Sequence, residues 1–290
     1  MNAGAVSPLT LLSVAHCNVN CTSLTRSLDF YRSVVGLQPS VHTNPAPQDC
    51  SGFGLDGLAA WDAWMLHDHR GPFAAPVVDL LEWLVPAPVG VPYESPDRPG
   101  LTGLRFMVPA TGETTMLTDP DGVRLSFEAG DVSAIEFRGV DITCTDLAAS
   151  TEWYQRVLGV ETTSGPVSTQ SDVPSGGQLG GSSGGRRTFL ALPGQADLFT
   201  ISLQQSARLP SLADRRAYAE ANHVGIFRMA FIVADIDAEY DRLRSRGVEC
   251  FSPPVTLDMG PQVPIDGLRA LFFPDPDGAC LELIEAVGAA

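Results

Sequence analysis

No stretch of this chain approaches the roughly 18 consecutive apolar residues that a membrane-spanning helix needs, although 44% of its 290 residues are hydrophobic. The opening MNAGAVSPLTLLSVAHCN has neither a basic n-region nor a sustained apolar core, so no secretory signal is read there and a cytoplasmic location is expected. Positive charge is scarce: 18 Lys and Arg face 34 Asp and Glu, a net charge of −16. The largest basic clusters are the pairs Arg186-Arg187 and Arg215-Arg216. Such a surface repels a phosphate backbone, which argues against nucleic acid as a partner. The six cysteines form no C-x-x-C pair, and in a reducing compartment they are expected to be free, buried and apolar. Cys17 and Cys21 stand four positions apart on one face of an expected strand, which is poor geometry for a zinc knuckle.

What the chain has instead is a repeat. At 290 residues it is long for one domain and suited to two of roughly 150. VNCTSLTRSLDFYRSVVGL (19–37) matches ITCTDLAASTEWYQRVLGV (142–160), with Cys21 on Cys144, Leu24 on Leu147, Tyr31 on Tyr154 and Gly36 on Gly159, a constant offset of 123. PGLTGLRFMV (99–108) matches VGIFRMAFIV (224–233), with Phe106 on Phe231 at an offset of 125. The turn Asp-Pro-Asp-Gly occurs at 119–122 and 275–278, an offset of 156.

The jump from 125 to 156 locates a deletion of 31 residues between Phe106 and Asp119. In the second half that interval carries Ile236, Tyr240 and Leu243 at helical spacing, with Gly247 as the stop. The first half keeps only PATGET there, so one helix and one strand are expected to be missing. Each half otherwise reads as strand, helix and three strands, used twice, which is an α+β architecture. Ser23 and Asp146 are expected N-caps, and Gly36 and Gly159 end the helices they open. The segment TQSDVPSGGQLGGSSGGRR (169–187) reads either as a loop closing over a pocket or as an insertion within a hairpin.

The motifs D-L-x-x-S-x-x-W/F-Y-x-x-V-L-G-L and D-P-D-G-x-x-L-E-L resemble those of the vicinal oxygen chelate superfamily, which includes glyoxalase I, bleomycin-resistance proteins and extradiol dioxygenases. The resemblance covers nearly the whole chain as two tandem domains, residues 10–130 and 135–287. It implies paired βαβββ modules curled into cups around one divalent metal, with ligands from the first and last strands of each module.

Carried over position by position, the resemblance implies His16 and Asp79 as ligands in the first half, with Glu82 in another register, while Gly103 and Ser126 fill the remaining positions. In the second half the positions hold Gly139, Ile201, Arg228 and Glu282, of which only Glu282 is a ligand type. Neither half keeps a full set, and a metal held by His16, Asp79 and Glu282 requires the first and fourth modules to pair across the halves. The cofactor expected is therefore either none or a divalent metal.

Three residues are expected to carry chemistry. Arg228 offers fixed donors to a ligand oxygen, or else an ion pair to Glu282. The resemblance places Glu282 in the same cup. His223, just before the Arg228 strand, is suited to acid–base work near neutral pH or is a plain loop histidine. Trp61, Trp64, Phe73, Trp83 and Tyr93 supply aromatic surface, as core or as stacking platforms. The partner expected is a small molecule. An enzyme acting on an oxygen-rich or aromatic substrate, of lyase, isomerase or dioxygenase type, and a binding protein that sequesters such a ligand both fit the sequence. The truncated first half leaves sheet edge to be covered by the other half or by a second subunit, and a homodimer is the expectation in the second case.

Overall fold

A computed structural model describes residues 7–92, 98–111, 114–163, 186–205, 220–263, 265 and 267–287. Tyr93 and all but the last two residues of the 169–187 segment lie outside them. The first module comprises β1 (Ser13–Asn20), α1 (Leu24–Phe30), β2 (Gln38–Thr43), β3 (Gln48–Asp49), β4 (Leu58–His67) and β5 (Val77–Val85). The second comprises β6 (Gly100–Pro109), β7 (Thr115–Thr118) and β8 (Arg124–Gly130). The third comprises β9 (Glu136–Cys144), α2 (Leu147–Leu158), β10 (Glu161–Thr163), β11 (Arg187–Ala191) and β12 (Thr200–Gln205). The fourth comprises β13 (Gly225–Ile232), α3 (Ile236–Ser245), β14 (Val255–Leu257), β15 (Gly267–Pro274) and β16 (Cys280–Val287).

Local chemistry accounts for the helices. The Ser23 side chain accepts from the Arg26 backbone at the start of α1, and Asp146 accepts from Ala148 and Ala149 at the start of α2. α1 runs on through a π-turn over Tyr31–Val35, and Gly36 and Gly159 end their helices at φ 90 and 72, where a side chain would be strained. Tyr31 and Tyr154 are both fully buried on the inner faces of these helical segments. Between Pro109 and Thr115 there is no counterpart of α3 or β14 among the described residues, as the offset arithmetic requires. The β7 strand that follows is exposed along its whole length, Met116 and Leu117 included.

The two sheets are mixed, and neither is made by one half of the sequence. One runs β14-β15-β16-β13-β1-β5-β4-β2, the other β10-β11-β12-β9-β6-β8-β7. The first joins modules one and four through the antiparallel pair β1–β13, and the second joins modules two and three through β6–β9. The modules therefore pair across the halves.

The Asp-Pro-Asp-Gly turns join each half internally in a different way. Asp119 accepts from the backbone of Asp121 and Val123 within its own turn and from the Tyr31 hydroxyl at 3.2 Å. Asp121 takes the backbone N–H of Thr22, two residues before α1, at 3.1 Å. The second turn repeats this: Tyr154 donates to Asp275 at 3.0 Å, and the Thr145 N–H to Asp277 at 3.0 Å. The repeated motif thus fastens the last strand of one module to the helix of the module before it. All six cysteines are free thiols, five of them buried.

Candidate functional site in the cup of modules one and four

From His16 onward, past a bulge between Val14 and His16, strand β1 alternates. Cys17, Val19 and Cys21 enter the main core, so His16, Asn18 and Asn20 share the opposite face, and all three are buried. The neighbours bring their own polar residues to this face. Asn18 sits opposite Asp79 on the parallel strand β5. His16 sits opposite Ala230 on β13, two positions from Arg228, and Ala230 is opposite Glu282 on β16.

Five side chains consequently meet. Arg228 donates from Nε to Glu282 Oε2 at 2.7 Å and from Nη2 to Asp79 Oδ2 at 2.8 Å. His16 Nε2 lies 3.1 Å from the same Glu282 oxygen and 3.9 Å from Asp79 Oδ2. Asn18 donates to Asp79 Oδ2 at 3.2 Å. Burial opposes the charge on Arg228, but Glu282 and Asp79 outweigh it and hold its pKa above the ordinary arginine value. Burial likewise pushes Glu282 upward, and the Arg228 charge together with the His16 contact more than reverses this, so Glu282 stays below its ordinary value.

These groups border a cavity of about 20 Å³ lined by His16, Asp79, Arg228 and Glu282 together with Thr43, Phe53, Trp61, Met65, Leu81, Leu257, Met259 and Leu268. Three buried atoms of this cluster have no hydrogen-bond partner among the described residues: Asp79 Oδ1 and Arg228 Nη1, on side chains that line the cavity, and Asn18 Oδ1 behind them. The Phe53 ring lies 5.5 Å from the Arg228 guanidinium carbon, within cation–π range. Leu257 ends β14 and Met259 follows on the connection to β15, which is tied to module one. Gln48 exchanges two bonds with Asp258, at 2.7 and 2.9 Å, and His42 Nδ1 meets Gln262 Oε1 at 2.8 Å.

Of the residues singled out in the sequence, Arg228, Glu282, His16 and Asp79 converge here, and Arg228 is paired to Glu282. Glu82, the alternative to Asp79, serves elsewhere, accepting the Leu24 N–H at 2.6 Å at the start of α1. His223 does not line the cavity. Its Nδ1 meets the carbonyl of Val224, its own carbonyl accepts from Asn20, and burial pulls its ring pKa down. Trp61 lines the cavity and Trp83 packs beside it, whereas Trp64 stacks on His42 at 4.5 Å and Phe73 is 91% exposed. Asn18 and Asn20 were the residues missed, although their alternation with Cys17, Val19 and Cys21 in AHCNVNC was there to be read.

The other cup is filled. Arg105 on β6 is opposite Gly139, the counterpart of His16, and its guanidinium occupies the place a side chain there would take. It donates to the Thr200 carbonyl at 2.8 Å, and its Nε lies 3.2 Å from Asp141 Oδ1. Register also corrects one assignment: Ser202 is opposite Asp141 as Asp79 is opposite Asn18, so Ser202, not Ile201, is the counterpart of Asp79.

The model of the Glyoxalase/Bleomycin resistance protein/Dioxygenase superfamily matches residues 137–283. The chain belongs to this superfamily. No curated protein matches the chain. Among solved structures, glyoxalase I from Zea mays is similar at a TM-score of 0.63 and 13% identity, covering 94% of this chain and 92% of that one. A putative dioxygenase from Bacillus subtilis is similar at a TM-score of 0.59 and 14% identity, covering 97% of this chain and 86% of that one. Identities this low speak to the fold alone.

The divalent metal that superfamily membership implies does not fit this donor set. Arg228, a fixed cation, stands at one ligand position and holds an oxygen of each carboxylate, and a divalent ion beside it would meet direct repulsion. Among the described residues, no group of three or more His, Cys, Asp or Glu side chains is arranged to hold a metal. None of the described helices is long and apolar enough to cross a membrane.

Proposed function

We propose that this protein is a small-molecule enzyme of lyase or isomerase type that moves a proton on an oxygen-bearing aromatic ligand in the cup of modules one and four. Arg228 stands there in place of a metal ion. The observation that carries the reading is the contact of His16 with Glu282, 3.1 Å, beside the cavity. An imidazole oriented by a carboxylate is suited to take and return a proton near neutral pH. In this reading His16 is the acid–base group and Glu282 orients it. Arg228, through its unpaired Nη1, stabilises negative charge developing on a ligand oxygen. Asp79 and Glu282 fix the guanidinium in position. His223, away from the cavity, has no part in the step.

The apolar walls, with Trp61 and Phe53 among them, favour a second reading, sequestration of an aromatic ligand without turnover. Hydrogen–deuterium exchange separates the two. The protein is incubated in D2O with α-hydroxyacetophenone, and deuterium gain at the carbon beside the carbonyl is followed by NMR. Exchange that is accelerated by the wild type and lost in His16→Ala supports the enzyme. Binding without exchange, or exchange untouched by His16→Ala, contradicts it.

A further inference from the structure

We infer that the cup selects a neutral aromatic ligand whose polar head both donates and accepts hydrogen bonds, such as a planar carboxamide or a hydroxy-ketone, over an anion of the same shape. The inference rests on the cup being the ligand site proposed above, and not on catalysis.

Charge is the first argument. Asp79 and Glu282 bring two negative charges to the polar end of the cavity, against the single fixed positive charge of Arg228. An incoming carboxylate or phenolate would add a third negative charge in a buried setting, where repulsion is weakly screened. The charge of the guanidinium is already balanced by these two carboxylates, which leaves it a hydrogen-bond donor at Nη1 but no uncompensated positive charge for an anion.

The unpartnered atoms give the second argument. Arg228 Nη1 is a donor and Asp79 Oδ1 an acceptor, each on a side chain whose neighbouring atom is engaged in the 2.8 Å bond between them. Buried polar atoms left alone are costly and call for a partner. One group carrying an acceptor and a donor side by side satisfies both. A carboxylate satisfies only the first, and an amidinium only the second.

The walls set the rest of the ligand. Trp61 spends its N–H on Thr43 Oγ1, 3.0 Å, so it presents an aromatic surface and no donor. The space enclosed, about 20 Å³, is that of a single water. Entry of a ring therefore requires Met65 and Met259, flexible unbranched side chains from the two modules, to swing aside.

Calorimetric titration of the full-length protein near pH 7 with benzoate, benzamide and benzamidine tests this, because the three share one shape and differ in charge and in donors. Benzamide is expected to bind tightest, with benzoate weaker by roughly ten-fold or more, and Asp79→Asn is expected to shift the ratio toward benzoate. Benzoate binding as tightly as benzamide to the wild type overturns the inference and leaves the cup a ligand site. A ratio unmoved by Asp79→Asn overturns it as well. Failure of all three to bind overturns the ligand-site reading and this inference together, whereas benzamide binding without any proton exchange overturns only catalysis.

Discussion

His16 and Glu282 are 266 positions apart in the chain and 3.1 Å apart in the cup. The contact exists because β13 lies between β1 and β16 in one sheet, so the polar end of the cavity is assembled from the two extremes of the sequence. Each half alone would carry half of each sheet, with β1, β6, β9 and β13 stripped of their central antiparallel partners.

Residues 1–132 and 133–290 expressed separately are accordingly expected to lack cooperative unfolding. Expressed together they are expected to co-purify as a folded complex. Circular dichroism and urea melts check this, and a half that unfolds cooperatively on its own would contradict cross-pairing.

Gly139→Ala tests the filled second cup. The added methyl would overlap both the Arg105 guanidinium and the Thr200 backbone carbonyl. Overpacking of this kind costs typically about 1–3 kcal/mol. Because the carbonyl cannot swing away, Arg105→Ala in the same chain should restore only part of the loss, read from urea midpoints. Full restoration would mean that Arg105 is the sole obstacle.

Asp275 makes stability depend on pH. Burial raises its pKa from 3.8 to about 7, against the backbone bond from Ala279 that opposes the rise. The folded chain then holds a proton that the unfolded chain releases. This contribution to stability is full below about pH 4 and is lost as pH rises through about 7, a difference on the order of 4 kcal/mol. Asp275→Asn, which keeps an acceptor for the turn, is expected to flatten that slope in urea melts run across this range. An unchanged slope would show that the group does not titrate there.

Much of this architecture was legible. The constant offset of 123 over VNCTSL and ITCTDL exposed the duplication, and the jump to 156 exposed the missing helix. The N-caps at Ser23 and Asp146 followed from side-chain chemistry. Pairing across the halves was not legible, because copies of one module share the same apolar pattern and the same edge, whichever sheet they join. The middle-strand counterpart of Asp79 was misread by one position at Ile201, since a one-residue slip in a strand exchanges its faces. His223 lies outside the cavity lining for a different reason. Proximity to Arg228 in sequence says nothing about direction, and its ring bonds locally to Val224.

Arg228 occupying the place of a metal has a sharp test, calorimetric titration of Zn2+ and Ni2+ into the wild type and Arg228→His. No stoichiometric binding is expected for the wild type. In the variant a new site in the micromolar range or tighter is expected, because a neutral imidazole joins His16, Asp79 and Glu282 once the guanidinium is gone. Tight one-to-one binding by the wild type, with Arg228 in place, would contradict it.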